Sequence, residues 1–204
     1  MFQRLFIILL IFVIVMSISS KKIACFCYGS NSVAQLAERV GSSNLIALKA
    51  LLPNYTRIFG GYSNRWKGGV ASILEKNGEE CKGSICYLSE DEMIKLDRFE
   101  GIKEGNDPWS TDANLNMYCR QTIQVNIYDD HSKSWTSISD AVAYIKNDSD
   151  YTESPSIQYL TACEKNIGAF WEELDDDNTI HVKDNRGELR GRFKDSKLEI
   201  VEPN

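Results

Sequence analysis

The residue best placed for acid–base chemistry is Glu100, at the end of the segment EDEMIKLDRFE. It lies seven residues after Met93 and four after Leu96, so one helix face carries all three side chains. A carboxyl group on an apolar face, close to the negative end of the helix dipole, has a raised pKa because both surroundings disfavour its charged form. Such a carboxyl can act as a general base near neutral pH. The alternative is a glutamate that turns outward into water, and the same alternative applies to Asp97 on this face.

A second candidate lies where an apolar, strand-like segment, residues 23–28, meets the start of a helical pattern. Gly29, Ser30 and Asn31 separate the two, and backbone N–H groups at a helix start point outward, toward an anion or a developing oxyanion. Glycine lets a ligand approach the backbone closely. The alternative is that Ser30 or Asn31 only caps the helix. The segment lacks the lysine of a phosphate-binding loop, the further glycines of a dinucleotide loop and the Gly-x-Ser-x-Gly pattern of a serine hydrolase.

Three helices are predicted to position these candidates. Apolar residues at helical spacing indicate helices at residues 33–40 and 90–100, and Pro155-Ser156 indicates the start of a last helix that reaches about Gly168. The second helix begins with a capping box, in which Ser89 precedes Glu92 by three residues. Glu100 should therefore lie in the last turn of a well-started helix.

Most of the remaining segments have the pattern of strands. Beyond the first strand, three strand pairs are predicted, with turns at Pro53-Asn54, in the KNGEE segment and at residues 129–132. A polar loop at residues 102–116 separates the second helix from the third pair. This loop, with Trp109, is a candidate lid over a substrate, and ordinary surface packing is the alternative.

This order of elements predicts the α+β class, as a single domain with a curled, barrel-like, mostly antiparallel or mixed sheet and interspersed helices. The domain is predicted to cover residues 22–171. An acidic C-terminal tail, residues 172–204, follows it and has the pattern of a short hairpin around residues 185–187.

The N-terminal segment, residues 1–19, has the pattern of a secretory signal peptide. One positive charge precedes an unbroken apolar stretch at residues 5–16, and the small residues Ser17 and Ser19 predict cleavage after Ser19. The apolar stretch is shorter than the roughly 20 residues of a membrane span. We therefore expect a protein of the secretory lumen or the exterior, without stable membrane insertion once cleaved; an uncleaved anchor is the alternative.

Composition limits the partners that the chain can have. The length of 204 residues suits one domain, and a net charge of −6 without a run of Lys or Arg argues against a nucleic-acid surface. Six cysteines without a CxxC pair, and only two histidines, do not form a zinc-binding pattern. Disulfides and buried free thiols both fit these cysteines. Glycosylation sequons at Asn54 and Asn147 suit the secretory route.

Six short motifs follow one another along residues 23–168. They are YGSN (28–31), WKGGVA (66–71), GSICY (83–87), LDRFEG (96–101), Tyr118 with Arg120, and PSIQY (155–159). With these motifs in this order, the chain resembles the γ-glutamylcyclotransferase family over residues 23–168. One departure is Ser32, which stands where the family usually has leucine.

The resemblance implies conversion of a γ-glutamyl amine or amide into 5-oxoproline and the released amine. The α-amine of the substrate attacks its own γ-carbonyl, so the enzyme mainly has to hold the folded conformer. Glu100 takes a proton from that amine and passes one to the leaving amine. The amides of residues 29–31 hold the glutamyl group through either its α-carboxylate or the developing oxyanion, and the sequence leaves both open. Tyr28 and Tyr159 line the pocket, with a purely structural role as their alternative. No metal, nucleotide or other cofactor is implied.

Other functions on the same scaffold remain open. One is a secreted, non-catalytic binding protein, although retention of Glu100 argues against a decayed site. Another is a cyclotransferase that acts on γ-glutamyl-lysine isopeptides or on glutathione; Asn31 argues against glutathione, because the glutathione-specific relatives prefer leucine there. In each case the expected partner is a small γ-glutamyl molecule rather than a nucleic acid.

Overall fold

The computed structural model describes residues 22–148 and 153–171 with their side chains, and the backbone of three later strands. The predicted signal segment and residues 172–178 of the predicted tail lie outside the described residues. In chain order, the elements are β1 (Ile23–Cys27), α1 (Val33–Val40), β2 (Ala47–Ser63), β3 (Gly68–Leu88), α2 (Glu90–Phe99), β4 (Tyr118–Asp129), β5 (Ser134–Lys146), α3 (Ile157–Gly168), β6 (Thr179–Asp184), β7 (Gly187–Lys194) and β8 (Lys197–Val201).

Five strands close into a ring in the order β3-β1-β5-β4-β2, because β3 pairs with both β1 and β2. All pairs in the ring are antiparallel except β1 with β5. Outside the ring, β6 pairs in parallel with β2, and β7 and β8 extend the sheet. This single domain confirms the predicted α+β class with a barrel-like, mostly antiparallel sheet. The hairpin predicted near residues 185–187 is also present, with Asp184 opposite Gly187.

The two turns predicted at Pro53-Asn54 and in the KNGEE segment are wrong. Strand β2 continues through this region with a register shift between Pro53 and Tyr55, and β3 continues opposite it. Asn54 has φ 60° and Gly78 has φ 82°, and the Gly78 amide donates to Asn54 Oδ1 at 3.1 Å. The turn-forming residues thus make facing irregularities inside one long two-stranded ribbon, where the ladder resumes on both sides.

The helices follow the sequence prediction, with one correction at the first. Ser32, rather than Ser30 or Asn31, caps α1, since its hydroxyl accepts from the Gln35 amide at 3.3 Å. The residue that departs from the family pattern therefore starts this helix. At α2, the capping box of Ser89 is present as predicted. Among the described residues, no helix is long and apolar enough to cross a membrane.

The core fills the ring and the space beneath the helices. Its largest fully buried side chains include Phe59, Leu36, Ile85 and Met93. All six cysteines are buried and free, so the structure favours the interpretation of small buried thiols over disulfides.

Candidate active site

A cavity of about 190 Å³ opens where the end of β1 and the bend after it meet α1, α2, α3 and the start of β3. The residues predicted to be catalytic or to bind substrate all lie in its lining. These residues are Tyr28, Gly29, Ser30, Asn31, Glu100 and Tyr159.

Glu100 follows the last residue of α2 and points into this cavity. Its side chain is only 11% exposed, so the alternative of an outward-facing glutamate is wrong. Its Oε1 accepts from Asn31 Nδ2 at 3.0 Å and from Arg39 Nη1 at 3.2 Å. Among the described residues, no hydrogen-bond donor engages Oε2, which leaves this oxygen available for a proton.

The surroundings of Glu100 raise the pKa of its carboxyl above the ordinary value. Burial is the main cause, because it disfavours the charged form. The Arg39 guanidinium and the Asn31 amide lower the pKa and offset part of this effect, while the nearby Asp97 carboxyl adds to it. A carboxyl in this balance exchanges protons closer to neutral pH than an exposed one.

Asp97 shares the helix face with Glu100 but is occupied by a structural network. It accepts from Arg120 Nε at 3.0 Å and Nη2 at 2.8 Å, and from the Tyr144 hydroxyl at 2.6 Å. Burial lowers the pKa of Arg120, but the hydrogen bonds from its guanidinium to Asp97 and Glu90 outweigh burial and raise it. This pairing links α2 to β4 and β5 and explains two of the motifs found in the sequence.

The bend at residues 29–31 is held from below by Asn166, which the sequence analysis missed. Asn166 is fully buried on α3 and its Nδ2 donates to the carbonyls of Cys27 at 3.2 Å and Gly29 at 2.9 Å. The Ser30 carbonyl accepts from the Ser32 amide at 2.8 Å. Within the described part of the chain, no acceptor engages the amides of residues 29–31, so these donors are available to a ligand.

Gly29 packs against Tyr159 and Ala71, which form the floor of the cavity together with Tyr118. A Cβ at this position would lie 3.3 Å from both the Tyr159 hydroxyl and the Ala71 Cβ, which is closer than ordinary contact. The Tyr159 hydroxyl accepts from the Ala71 amide at 2.9 Å, so its proton can point into the cavity. The Tyr118 hydroxyl donates to the Ala71 carbonyl at 2.8 Å. The amide and the carbonyl of Ala71 thus hold the hydroxyls of Tyr159 and Tyr118 in place.

Tyr28 contributes its ring rather than a free donor. Its hydroxyl donates to the backbone carbonyl of Tyr144. Burial raises the pKa of Tyr28 well above its ordinary value, and burial also does so for Tyr118 and Tyr159. All three phenols are therefore neutral.

Two adjacent glycines explain the WKGGVA motif. A Cβ on Gly68 would lie 2.7 Å from the Ser154 carbonyl oxygen, and one on Gly69 would collide with the Glu153 carbonyl oxygen. The Gly69 amide donates to Ser154 O at 2.9 Å. The start of β3 thus packs directly against the chain that leads into α3, and this contact sets the position of Tyr159.

Arg39 is a site residue that sequence reasoning missed. Its side chain is 9% exposed, and its Nη1 donates to Asn31 Oδ1 at 2.6 Å as well as to Glu100. Burial lowers the pKa of Arg39, and Glu100 opposes that shift. The signal available in the sequence was a cation three residues after Leu36 and next to Val40, beside the buried face of α1.

The predicted lid does not cover the cavity. Trp109 is 44% exposed and does not line the cavity. The ends of its loop are joined by a bridge between Ile102 and Asn116, and Asn147 Nδ2 donates to the carbonyls of Ser110 and Asn116 at 3.0 Å each. Surface packing, the alternative given for this loop, fits these contacts.

Comparisons with known proteins agree with this architecture. The model of the family described as "Gamma-glutamyl cyclotransferase, AIG2-like" matches residues 25–161. The chain is 31% identical over 110 residues to the γ-glutamylcyclotransferase of Mus musculus, over 50% of this chain and 58% of that protein. It is 31% identical over 84 residues to the one of Bos taurus, over 39% and 45%. The chain thus spans about half the length of the curated relatives it matches.

Solved structures show the same fold. A structure described as "Gamma-glutamyl cyclotransferase" superposes with a TM-score of 0.58 at 22% identity, over 81% of this chain and 92% of that chain. An uncharacterized protein from Homo sapiens superposes with a TM-score of 0.55 at 22% identity, over 72% and 81%. With the family match over residues 25–161, the chain belongs to the γ-glutamyl cyclotransferase, AIG2-like family.

Proposed function

We propose that this protein is a γ-glutamylcyclotransferase that converts a γ-glutamyl substrate into 5-oxoproline and a free amine, with Glu100 as general acid and base. The observation that carries the proposal is the buried carboxyl of Glu100, held by Asn31 beside the amides of residues 29–31, which have no acceptor among the described residues. Family membership supports the same reaction class.

The main task of the enzyme in this reaction is to position the reacting groups of the substrate. The substrate's α-amine and γ-carbonyl belong to one molecule, and holding them in the folded conformer can supply up to about 7–11 kcal/mol of the barrier. The amides of residues 29–31 are suited to hold the oxygen of the γ-carbonyl, which becomes an oxyanion on attack. Since Asn166 fixes the bend, these donors are oriented before the substrate arrives.

The carboxyl group of Glu100 can carry each proton that this reaction moves. Glu100 removes a proton from the substrate's α-ammonium group, and the neutral nitrogen attacks the γ-carbon to form the new C–N bond. Glu100 then passes this proton to the leaving nitrogen and takes the second proton from the attacking nitrogen, and the bond between the γ-carbon and the leaving nitrogen breaks. The released amine takes up this second proton from Glu100, which returns the carboxylate to its ionised form. Arg39 and Asn31 hold Oε1 throughout, so the proton moves on and off Oε2.

A covalent route through Cys27 is disfavoured, although this thiol lines the cavity. The Cys27 thiol donates to the Cys25 carbonyl at 3.7 Å. Its contact with Cys25 and its burial raise the pKa of Cys27 well above the ordinary value. A neutral, buried thiol is a poor nucleophile.

The test is the release of 5-oxoproline from γ-glutamyl-alanine by the purified protein, followed by chromatography or NMR. We expect lactam and free alanine in equal amounts, without added metal or nucleotide. Binding of γ-glutamyl compounds without lactam release would contradict the proposal and support a binding protein on the same scaffold. A tyrosine-floor variant such as Tyr159→Phe, which removes a donor from the cavity, should lower kcat/KM and keep the fold.

We also propose that the protein travels the secretory route and carries a glycan at Asn54 but not at Asn147. The Asn54 side chain is exposed. In Asn147, the side-chain nitrogen that a glycan would modify already donates two hydrogen bonds to the loop of residues 102–116. Mass spectrometry of the protein secreted from eukaryotic cells should find a new N-terminus near Ser20 and a modified Asn54. Retention of residues 1–19, or a glycan at Asn147 alone, would contradict this proposal.

A further inference from the structure

Buried tyrosines line one side of the cavity, and more exposed residues line the other side. Phe99 is 50% exposed and Met117 is 48% exposed, although both line the cavity. Arg65 is also exposed and Trp66 is half-buried, both in the turn between β2 and β3. These four residues form the mouth.

The chemistry of the mouth differs from that of the floor. Trp66, Phe99 and Met117 give it three large apolar side chains, and exposed apolar patches of this kind mark binding sites. Arg65 adds a cation at the same edge, with its guanidinium carbon 5.3 Å from the centre of the Trp66 ring. Among the described residues that line the cavity, Glu100 is the only carboxylate.

The geometry of the proposed reaction fixes which part of a substrate meets the mouth. The α-amine must face Glu100 and the γ-carbonyl oxygen must face the amides of residues 29–31, so the glutamyl group occupies the inner side. Tyr118 and Tyr159 close that side below. The leaving amine is bonded to the γ-carbon on the opposite side and therefore extends outward, past the mouth.

Resting on the proposed function, we propose that the preferred substrates are γ-glutamyl derivatives of large apolar α-amino acids. The apolar side chain of the leaving amino acid packs against Trp66, Phe99 and Met117. Its carboxylate pairs with Arg65. A γ-glutamyl-lysine isopeptide instead extends a flexible methylene chain that ends in an ammonium group beside a carboxylate. It therefore places no apolar end at the mouth and adds a second cation beside Arg65, and glutathione brings a polar dipeptide.

The test compares kcat/KM for four substrates: γ-glutamyl-phenylalanine, γ-glutamyl-alanine, γ-glutamyl-phenethylamine and Nε-(γ-glutamyl)-lysine. We expect phenylalanine to exceed alanine by about tenfold or more, as apolar pockets discriminate by roughly 10–200-fold. Removing the carboxylate, as in phenethylamine, should cost about two- to fivefold, because the ion pair is exposed. The isopeptide should be the poorest of the four.

Variants of the mouth residues test whether these residues cause the differences in kcat/KM. Arg65→Met should bring the ratio of phenylalanine to phenethylamine close to one, while Lys67→Met, which removes an exposed cation from the same turn without lining the cavity, should keep the ratio. Met117→Ala should reduce the ratio of phenylalanine to alanine.

The outcomes separate this inference from the proposed function. Lactam release from none of the four would overturn the function itself. Release from γ-glutamyl-alanine or the isopeptide at least as fast as from γ-glutamyl-phenylalanine would leave the function standing and overturn the substrate preference. An Arg65→Met variant with an unchanged carboxylate ratio would overturn the role of Arg65.

Discussion

Asp97 and Glu100 lie three residues apart along the chain, and each pairs with an arginine. The two pairs differ in how completely the carboxyl is hydrogen-bonded. Asp97 and Arg120 form a closed pair, since both carboxylate oxygens are engaged and the Arg120 side chain is 3% exposed. Glu100 and Arg39 form an open pair: among the described residues, donors engage Oε1 alone, and the cavity lies beside the other oxygen. The comparison shows that burial alone does not make a carboxyl reactive. A carboxyl whose hydrogen bonds are complete is structural, and one with a free oxygen beside a cavity can transfer a proton.

The largest expected effect breaks the closed pair. Asp97→Asn removes the buried carboxylate that pairs with the Arg120 guanidinium and leaves only the exposed Glu90 carboxylate beside it. We expect a loss of about 3–5 kcal/mol in the free energy of unfolding. Urea or guanidinium unfolding measures this loss. Asp91→Asn, on the exposed side of α2, serves as the control and should change stability little. An Asp97→Asn variant as stable as the parent would show that the closed pair is not structural.

A second prediction alters the open pair without removing its carboxyl. Arg39 lowers the pKa of Glu100, so Arg39→Met should raise that pKa further above its burial-raised value. The base must be ionised, and activity is lost as pH falls through its pKa, so the acidic limb of kcat/KM against pH should move to higher pH. Arg98→Met, an exposed neighbour on α2, is the control. An unmoved limb would show that Arg39 does not tune the base.

A third prediction concerns the bend that faces the open pair. Gly29→Val places methyl groups against Tyr159 and Ala71, where even a Cβ would be 3.3 Å away. We expect weakened binding of γ-glutamyl compounds, measured by calorimetry, together with a stability loss of about 1–3 kcal/mol from overpacking. Gly168→Val, where nothing lies within 4 Å of an added Cβ, is the matched control. Unchanged affinity in Gly29→Val would count against the role of the bend.

The smallest expected effect concerns the stability of α1, the helix that carries Arg39 of the open pair. Ser32→Ala removes the cap of α1, and we expect a loss of about 1 kcal/mol in the free energy of unfolding. Ser32→Asp, which also caps, should retain stability. A neutral Ser32→Ala would mean that packing of α1 alone holds Arg39 in place.

Features that depend on neighbours in sequence could be predicted, and features that depend on distant partners could not. The capping box of Ser89 and the inward face of Glu100 follow from local spacing, and both are present. The bulged ribbon at Asn54 and Gly78 was mistaken for two turns, because a turn residue and a bulge residue have the same local preferences. Only the facing strand distinguishes them.

The site was predictable in part for the same reason. Tyr28 to Asn31 and Glu100 were found through motifs, and the structure brings them to one cavity. Arg39 was missed because its partner Glu100 lies 61 residues away, and Asn166 because its contact with Gly29 spans 137 residues. A polar residue near an apolar helix face signals such a contact without naming its partner.

The most direct test of the open pair is turnover of γ-glutamyl-alanine by Glu100→Gln. We expect 5-oxoproline release to fall by about 10²–10⁴-fold. Substrate binding should stay close to the parent, and the loss in the free energy of unfolding should be smaller than for Asp97→Asn. The glutamine side chain retains an oxygen that can accept from Arg39, and Arg39 keeps its 2.6 Å bond to Asn31. Glu104→Gln, the same change in the exposed loop, should retain full activity. Near-normal turnover by a folded Glu100→Gln variant would contradict the assignment of Glu100 as the catalytic base.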